Sequence, residues 1–202
     1  MYREFICSFL LSLICNAQCL LLIRPIKSNI MGCSASKQEF DDDMYLRPIE
    51  GVTLEEKIVE LNGRKINVSH WSPVSPKAII LVSHGLHEHG LRYFSVAASL
   101  TAKNFAVVAM DHSSHGLSGG TRGLITDYTA LPLDFCALAT SLHKESPQLP
   151  FFILSHSMGT LVASLAIKDL PFVKVCSIIN MTDQCSMCSF LCIFHLPCVS
   201  TM

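Results

Sequence analysis

An excess of charge of either sign is missing from this 202-residue chain: 15 Lys and Arg stand against 16 Asp and Glu, a net charge of −1. No basic surface for a polyanion is implied, so nucleic acid is not expected as a partner. Internal repeats and low-complexity linkers are also absent, and half of the residues are apolar. Such a length and composition fit one domain with a sizeable core. The ten cysteines imply no disulfide framework, because only Cys136 and Cys176 fall in the central region. Both sit in apolar runs, where a free buried thiol is expected. Asp41-Asp42-Asp43 reads as a solvated loop, and no metal or cofactor is expected.

What the chain does have is Ser155-His156-Ser157-Met158-Gly159, between the apolar run Phe151 to Leu154 and the helix-forming stretch Thr160 to Ile167. Strand, sharp turn and helix with a serine at the apex is the setting of a nucleophile elbow, in which the residues two positions either side of the serine must be tiny. Gly159 satisfies this. Ser155 stands where the usual pattern has glycine, and its hydroxymethyl group is expected to strain the turn slightly.

The flanks extend the pattern. Ala78 to Val82 and Phe105 to Met110 are continuous apolar runs, as strands buried on both faces should be. Between the strands, Arg92 to Lys103 carries Phe94, Ala97, Ala98 and Leu100 at helical spacing. Tyr128 to Lys144 likewise carries Leu131, Phe135, Leu138 and Leu142. Upstream, Glu56 to Leu61 and Lys65 to Trp71 alternate around Asn62-Gly63, a strong hairpin signal. The order implies an α/β fold: a mostly parallel sheet with helices on both faces and an antiparallel hairpin at its N-terminal side.

His84-Gly85-Leu86-His87-Glu88-His89-Gly90-Leu91-Arg92-Tyr93, the loop Asp111 to Gly120 and the elbow occur in one order, one βα unit apart. Together they resemble the monoglyceride lipase and lysophospholipase branch of the α/β-hydrolases, of the serine aminopeptidase S33 type. The resemblance implies an α/β-hydrolase fold over roughly residues 50 to 178 and a carboxylic ester hydrolase acting on a lipid ester at a membrane surface. It implies Ser157 as the nucleophile of an acyl-enzyme, with the backbone N–H groups of Leu86 and Met158 as the oxyanion hole. His84, Gly85, His156 and Gly159 are supporting residues. Histidines 84, 87, 89, 112, 115 and 156 are expected to shape the oxyanion loop and to hydrogen-bond the strand ends, with no part in proton transfer.

The family order is Ser, then Asp or Glu, then His, the last two on later strands. Only 45 residues follow Ser157, while three more βα units need around 90. The expectation is therefore an incomplete sheet of about six strands that lacks the triad acid and base, with the strand near Val173 to Ile179 left as an exposed edge. Asp169, Asp183 and His195 are the candidates present, and none is anchored near Ser157. The alternative function is a non-catalytic product that binds or regulates. From about Asn180 the composition changes: Met181 to Cys198 has four cysteines and no lysine or arginine. That stretch reads as a replacement terminus, with a short hydrophobic hairpin or membrane-touching tail as a second reading. A third is a zinc site of Cys185, Cys188, His195 and Cys198.

The N-terminus carries two messages. Residues 5–23 resemble a secretory h-region or a short anchor. Met31-Gly32-Cys33-Ser34 is a lipidation signal if Met31 is the start, with Gly32 myristoylated and Cys33 palmitoylated. The expected division is 1–30 as the hydrophobic segment, 31–50 as a lipidation linker, 51–179 as the hydrolase domain and 180–202 as the cysteine-rich tail. Localisation on the cytoplasmic face of a membrane is expected, with the secretory pathway as the alternative. Oligomeric state and acyl-chain specificity have no signature in the sequence.

Overall fold

The computed structural model describes residues 48–180 and 189–193. The chain opens with β1 (Val52–Leu61) and β2 (Arg64–Pro73), paired antiparallel from Leu61↔Arg64 to Val52↔Pro73. Asn62 and Gly63 join them with φ of 49° and 76°. Two consecutive positive φ values match the right-handed twist of a two-residue hairpin, which is why this dipeptide turns here.

Then follow β3 (Ala78–Ser83), a 3-10 turn (Gly90–Tyr93), α1 (Phe94–Thr101), β4 (Phe105–Met110) and α2 (Ala130–Glu145). After them come β5 (Phe151–His156), α3 (Met158–Ala166), a 3-10 turn (Ile167–Asp169), β6 (Val173–Asn180) and β7 (Ser189–Ile193). The sheet order is β1-β2-β4-β3-β5-β6-β7, with β4, β3, β5 and β6 parallel. Arg92 and Tyr93, expected in the first helix, lie in the 3-10 turn. Tyr128 and Thr129 precede α2, where the Asp127 carboxylate takes the Thr129 N–H at 2.9 Å.

The core divides by strand parity. Ile79, Leu81, Ala106, Val108, Phe151 and Ile153 face α2 and α3, packing on Leu131, Phe135, Leu138 and Val162. Ala78, Ile80, Val82, Val107, Phe152 and Leu154 face α1, packing on Ala97 and Leu100. Successive side chains point to opposite faces, so a strand covered on both sides must be apolar throughout. With β3 central and the helices on opposite faces, the loops after β3 and β5 diverge at a switch point at the carboxyl edge, where open α/β sheets bind ligands.

The expectation of an exposed edge at β6 is corrected. β7 lies antiparallel beside it, with Cys176↔Ile193 and Asn180↔Ser189 in register, so part of the cysteine-rich stretch supplies a seventh strand. The other edge, β1, presents exposed Glu55, Glu56, Lys57 and Glu60, charges that discourage pairing with another chain. Cys136 is half-buried rather than buried, its Sγ donating to the Ala166 carbonyl at 3.5 Å. Among the described residues no helix is long and apolar enough to cross a membrane. The N-terminal segment, Gly32, Cys33, Asp183, and the proposed zinc ligands Cys185, Cys188, His195 and Cys198 lie outside the described residues.

Buried Asp134 of α2, 1% exposed, anchors the hairpin. Its oxygens accept from Arg64 Nε at 2.7 Å, from the Arg64 terminal nitrogen at 2.8 Å and from the Asn62 amide at 2.9 Å. Replacing Arg64 by Ala leaves that carboxylate buried without its cation, and the expected loss is about 2–3 kcal/mol. Urea unfolding of Arg64→Ala against the parent checks this; an unchanged midpoint would remove Asp134 from the list of groups that hold the hairpin.

Candidate active site

Ser157 sits between β5 and α3 with φ 51° and ψ −121°, a conformation a non-glycine residue adopts at a cost of about 1–3 kcal/mol. It is exposed, although β5 behind it is buried from Phe151 to Ser155. The elbow can be this sharp because α3 starts directly against the end of β3. A Cβ on Gly159 would lie 2.1 Å from the Ser83 carbonyl oxygen and 2.6 Å from that of His84. Only glycine fits. Ser155, expected to strain the turn, is accommodated fully buried opposite Ser83.

The loop after β3 is built around Gly85. A Cβ there would stand 3.1 Å from Ser157 Cβ and 3.0 Å from His156 Nδ1, so loop and elbow touch. His84, fully buried, donates from Nδ1 to the Gly85 carbonyl at 2.7 Å and accepts the His112 backbone N–H at Nε2 at 2.9 Å. These two bonds fix one neutral tautomer. The Gly85 carbonyl and the Leu86 N–H belong to one planar peptide unit, so holding the carbonyl aims the N–H. Met158 N–H, first in α3, has no acceptor four residues back in the helix. Two backbone donors beside an exposed serine can stabilise the oxyanion of an acyl transfer.

The loop after β4 braces this arrangement through Asp111, 3% exposed. Its carboxylate accepts the Gly90 N–H at 2.5 Å, the Leu117 N–H at 2.8 Å and the Asn67 amide at 3.1 Å. Ser118 Oγ donates to the Asp111 carbonyl at 2.7 Å and accepts the Asn67 N–H at 2.8 Å. Gly116, at φ 48°, lies so close that a Cβ would come within 2.1 Å of Asp111 Oδ2. The Asp-His-x-x-His-Gly-x-Ser pattern is thus a set of loop braces rather than a set of reactive groups. His112 Nε2 bonds Ser83 Oγ at 3.0 Å, and the His84 and His112 rings are 4.5 Å apart.

Ser157, Leu86, Met158, His84, Gly85, His156 and Gly159 therefore lie on two adjoining loops, whereas Asp169 is exposed at the far end of α3. Sequence reasoning passed over Asp111 and Glu88 as ties. Glu88 accepts the Gly85 N–H at 2.8 Å and the Tyr93 hydroxyl at 3.0 Å, and pairs with His156 Nδ1 at 3.1 Å. Burial raises its pKa, but the bonds from His156 and Gly85 and the charge of Arg92 outweigh that and hold it at about 2. Among the described residues no group of three or more His, Cys, Asp or Glu is arranged to hold a metal ion.

Chain order, sheet order and elbow make this an α/β-hydrolase. Residues 74–180 match the family described as serine aminopeptidase, S33, and the chain belongs to that family. It is 37% identical over 115 residues to monoglyceride lipase of Homo sapiens, covering 56% of this chain and 38% of that protein. To the monoacylglycerol lipase of Mycolicibacterium smegmatis it is 35% identical over 106 residues, 52% of this chain and 38% of that one. The chain thus spans well under half the length of these curated relatives. A carboxyl esterase from Bacillus coagulans shares the fold, with a TM-score of 0.54 and 24% identity over 63% of this chain and 44% of its own. A lipase in its open form gives a TM-score of 0.51 at 27% identity over 56% of this chain and 39% of its own.

Two predictions come from this geometry. Gly159→Ala should destabilise the protein by about 3 kcal/mol or more, since backbone must move to admit the methyl group; a melting temperature within a degree or two of the parent would contradict the packing of α3 on β3. The second is a pH dependence. Burial holds His84 down to about 4 against 6.5, and lowers His112 and His70 as well. Stability from a depressed imidazole is fully present above 6.5 and lost as the pH falls towards 4. Urea midpoints should drop across that window, before the carboxylates titrate; a flat profile between pH 6.5 and 4.5 would count against neutral buried imidazoles.

Proposed function

We propose that Ser157 is the nucleophile of a lipid ester hydrolase whose substrate is a monoacylglycerol or lysophospholipid at a membrane surface. The observation that carries this is the exposed serine at φ 51° at the start of a helix, with the loop after β3 against it at Gly85; the identity to monoglyceride lipases supports the substrate class. The Ser157 oxygen adds to the ester carbonyl carbon, its proton passes to a general base, and the N–H groups of Leu86 and Met158 receive the oxyanion. Collapse breaks the bond to the glycerol oxygen, which leaves with a proton, and water then releases the acyl group from the serine.

Among the described residues no imidazole is hydrogen-bonded to the Ser157 hydroxyl. His156 has its Nδ1 at Glu88, and His84 has both nitrogens engaged. The base in this reading is therefore a group that no hydrogen bond ties to Ser157 among the described residues. The same observation favours a second reading, in which this chain binds lipid esters without turning them over.

A fluorophosphonate probe tests the nucleophile. Backbone donors would stabilise the charge that develops on the probe's phosphoryl oxygen, so slow labelling of Ser157 is expected even without a hydrogen-bonded base, and none in Ser157→Ala. Equal labelling of the two proteins would overturn the proposal. Hydrolysis of p-nitrophenyl butyrate separates the readings: a rate that depends on Ser157 supports the enzyme, and equal rates for parent and Ser157→Ala select the binding protein.

A further inference from the structure

The carboxylate of Glu88 touches both loops that carry the oxyanion donors. Its Oε2 accepts the N–H of Gly85, the residue before Leu86, at 2.8 Å, and meets Nδ1 of His156, two residues before Met158, at 3.1 Å. The Tyr93 hydroxyl reaches the same oxygen at 3.0 Å, while Arg92 Nε lies 3.4 Å from Oε1. The Glu88 side chain is 11% exposed, so these partners replace water almost completely.

We propose that Glu88 is a positioning residue that clamps the loop after β3 to the turn before α3, fixing the separation of the Leu86 and Met158 N–H groups. This rests on the reading of those two groups as the oxyanion hole. An ionised carboxylate suits the task because it only accepts hydrogen bonds, and three donors converge on one of its oxygens. It also commits His156 Nδ1 to carry a hydrogen, which removes that nitrogen as a proton acceptor for Ser157. Glutamine would turn a donor amide towards Arg92 or towards one of the three donors. The depressed pKa of about 2 keeps the clamp charged throughout the range in which the protein would work. The arrangement places the cost of ordering the hole in the folded ground state, ahead of the reaction, which is what preorganisation requires.

The test compares the parent with Glu88→Gln, Glu88→Ala, His156→Ala and the double variant Glu88→Ala/His156→Ala, reading the fluorophosphonate labelling rate at Ser157, the melting temperature and amide hydrogen exchange by NMR. A clamp predicts labelling slowed roughly tenfold or more in each Glu88 variant and in His156→Ala. The double variant should be no slower than Glu88→Ala, because both substitutions cut one tie. Exchange should quicken at Gly85, whose N–H the carboxylate accepts, and at Thr160, whose N–H is bonded to the Ser157 carbonyl in the elbow, while Ile80 to Val82 in β3 keep their protection. A merely structural glutamate would instead lower protection across the sheet together with the melting temperature. Labelling rates equal to the parent, or additive effects of the two sites, would overturn the clamp. If the parent itself is not labelled, the nucleophile reading fails, and exchange still decides: loss of protection confined to the two loops supports the clamp, and unchanged Gly85 protection refutes it. His156→Ala, which removes a single bond of a half-buried side chain, keeps the comparison available if the Glu88 variants do not fold.

Discussion

The contact on which the rest of the site depends is between backbones: the first turn of α3 lies against the carbonyls of Ser83 and His84, with no room at Gly159 for a methyl group. That approach turns the chain from β5 into α3 within one residue and forces Ser157 into a positive φ. It also sets the end of β3 beside the end of β5, so the loop after β3 has nowhere to run except across the elbow. A wider residue at 159 would separate two loops at once.

Around this contact, a chain with little net charge spends its buried acids on loops. Asp134 holds the β1–β2 turn to α2, Asp111 gathers the loops after β3 and β4, and Glu88 joins the loop after β3 to the elbow. Each accepts at least two N–H or O–H donors, so none of these carboxylates is left without hydrogen bonds away from water. The buried imidazoles complement them. His84 and His112 are neutral and satisfy backbone or hydroxyl groups where a charge would have no partner.

The core was legible because burial on both faces leaves a strand no choice but to be apolar, and Ala78 to Val82, Phe105 to Met110 and Phe151 to Leu154 all obey. Asn62-Gly63 and Ser157-x-Gly159 were legible because few dipeptides tolerate the backbone those turns require. β7 was not: Ser189 to Ile193 pairs with β6, but five residues in a uniformly apolar, cysteine-rich stretch carry no alternation to mark a strand. Glu88 and Asp111 were hidden for a different reason. Their partners are backbone amides of Gly85, Gly90 and Leu117, and an amide is present at every position, so no residue type signals the bond. Helix starts shifted by about two residues, since apolar spacing marks the buried face of a helix and not its first turn.

The placement of β3 has a consequence for the order in which the molecule is assembled. The β1–β2 hairpin closes on itself as soon as Pro73 is available, whereas β3 finds its two partners only later, β4 at residue 105 and β5 at residue 151. Between those points a central strand with no polar face has one side unpaired, and the crossover that fills it must bring α2 over the opposite face first. Non-local parallel pairing of this kind is slow, and an open apolar edge in the interval is the species other chains can capture. The hairpin's charged outer strand protects the finished sheet, but the gap beside β3 is protected only by the speed with which β5 arrives.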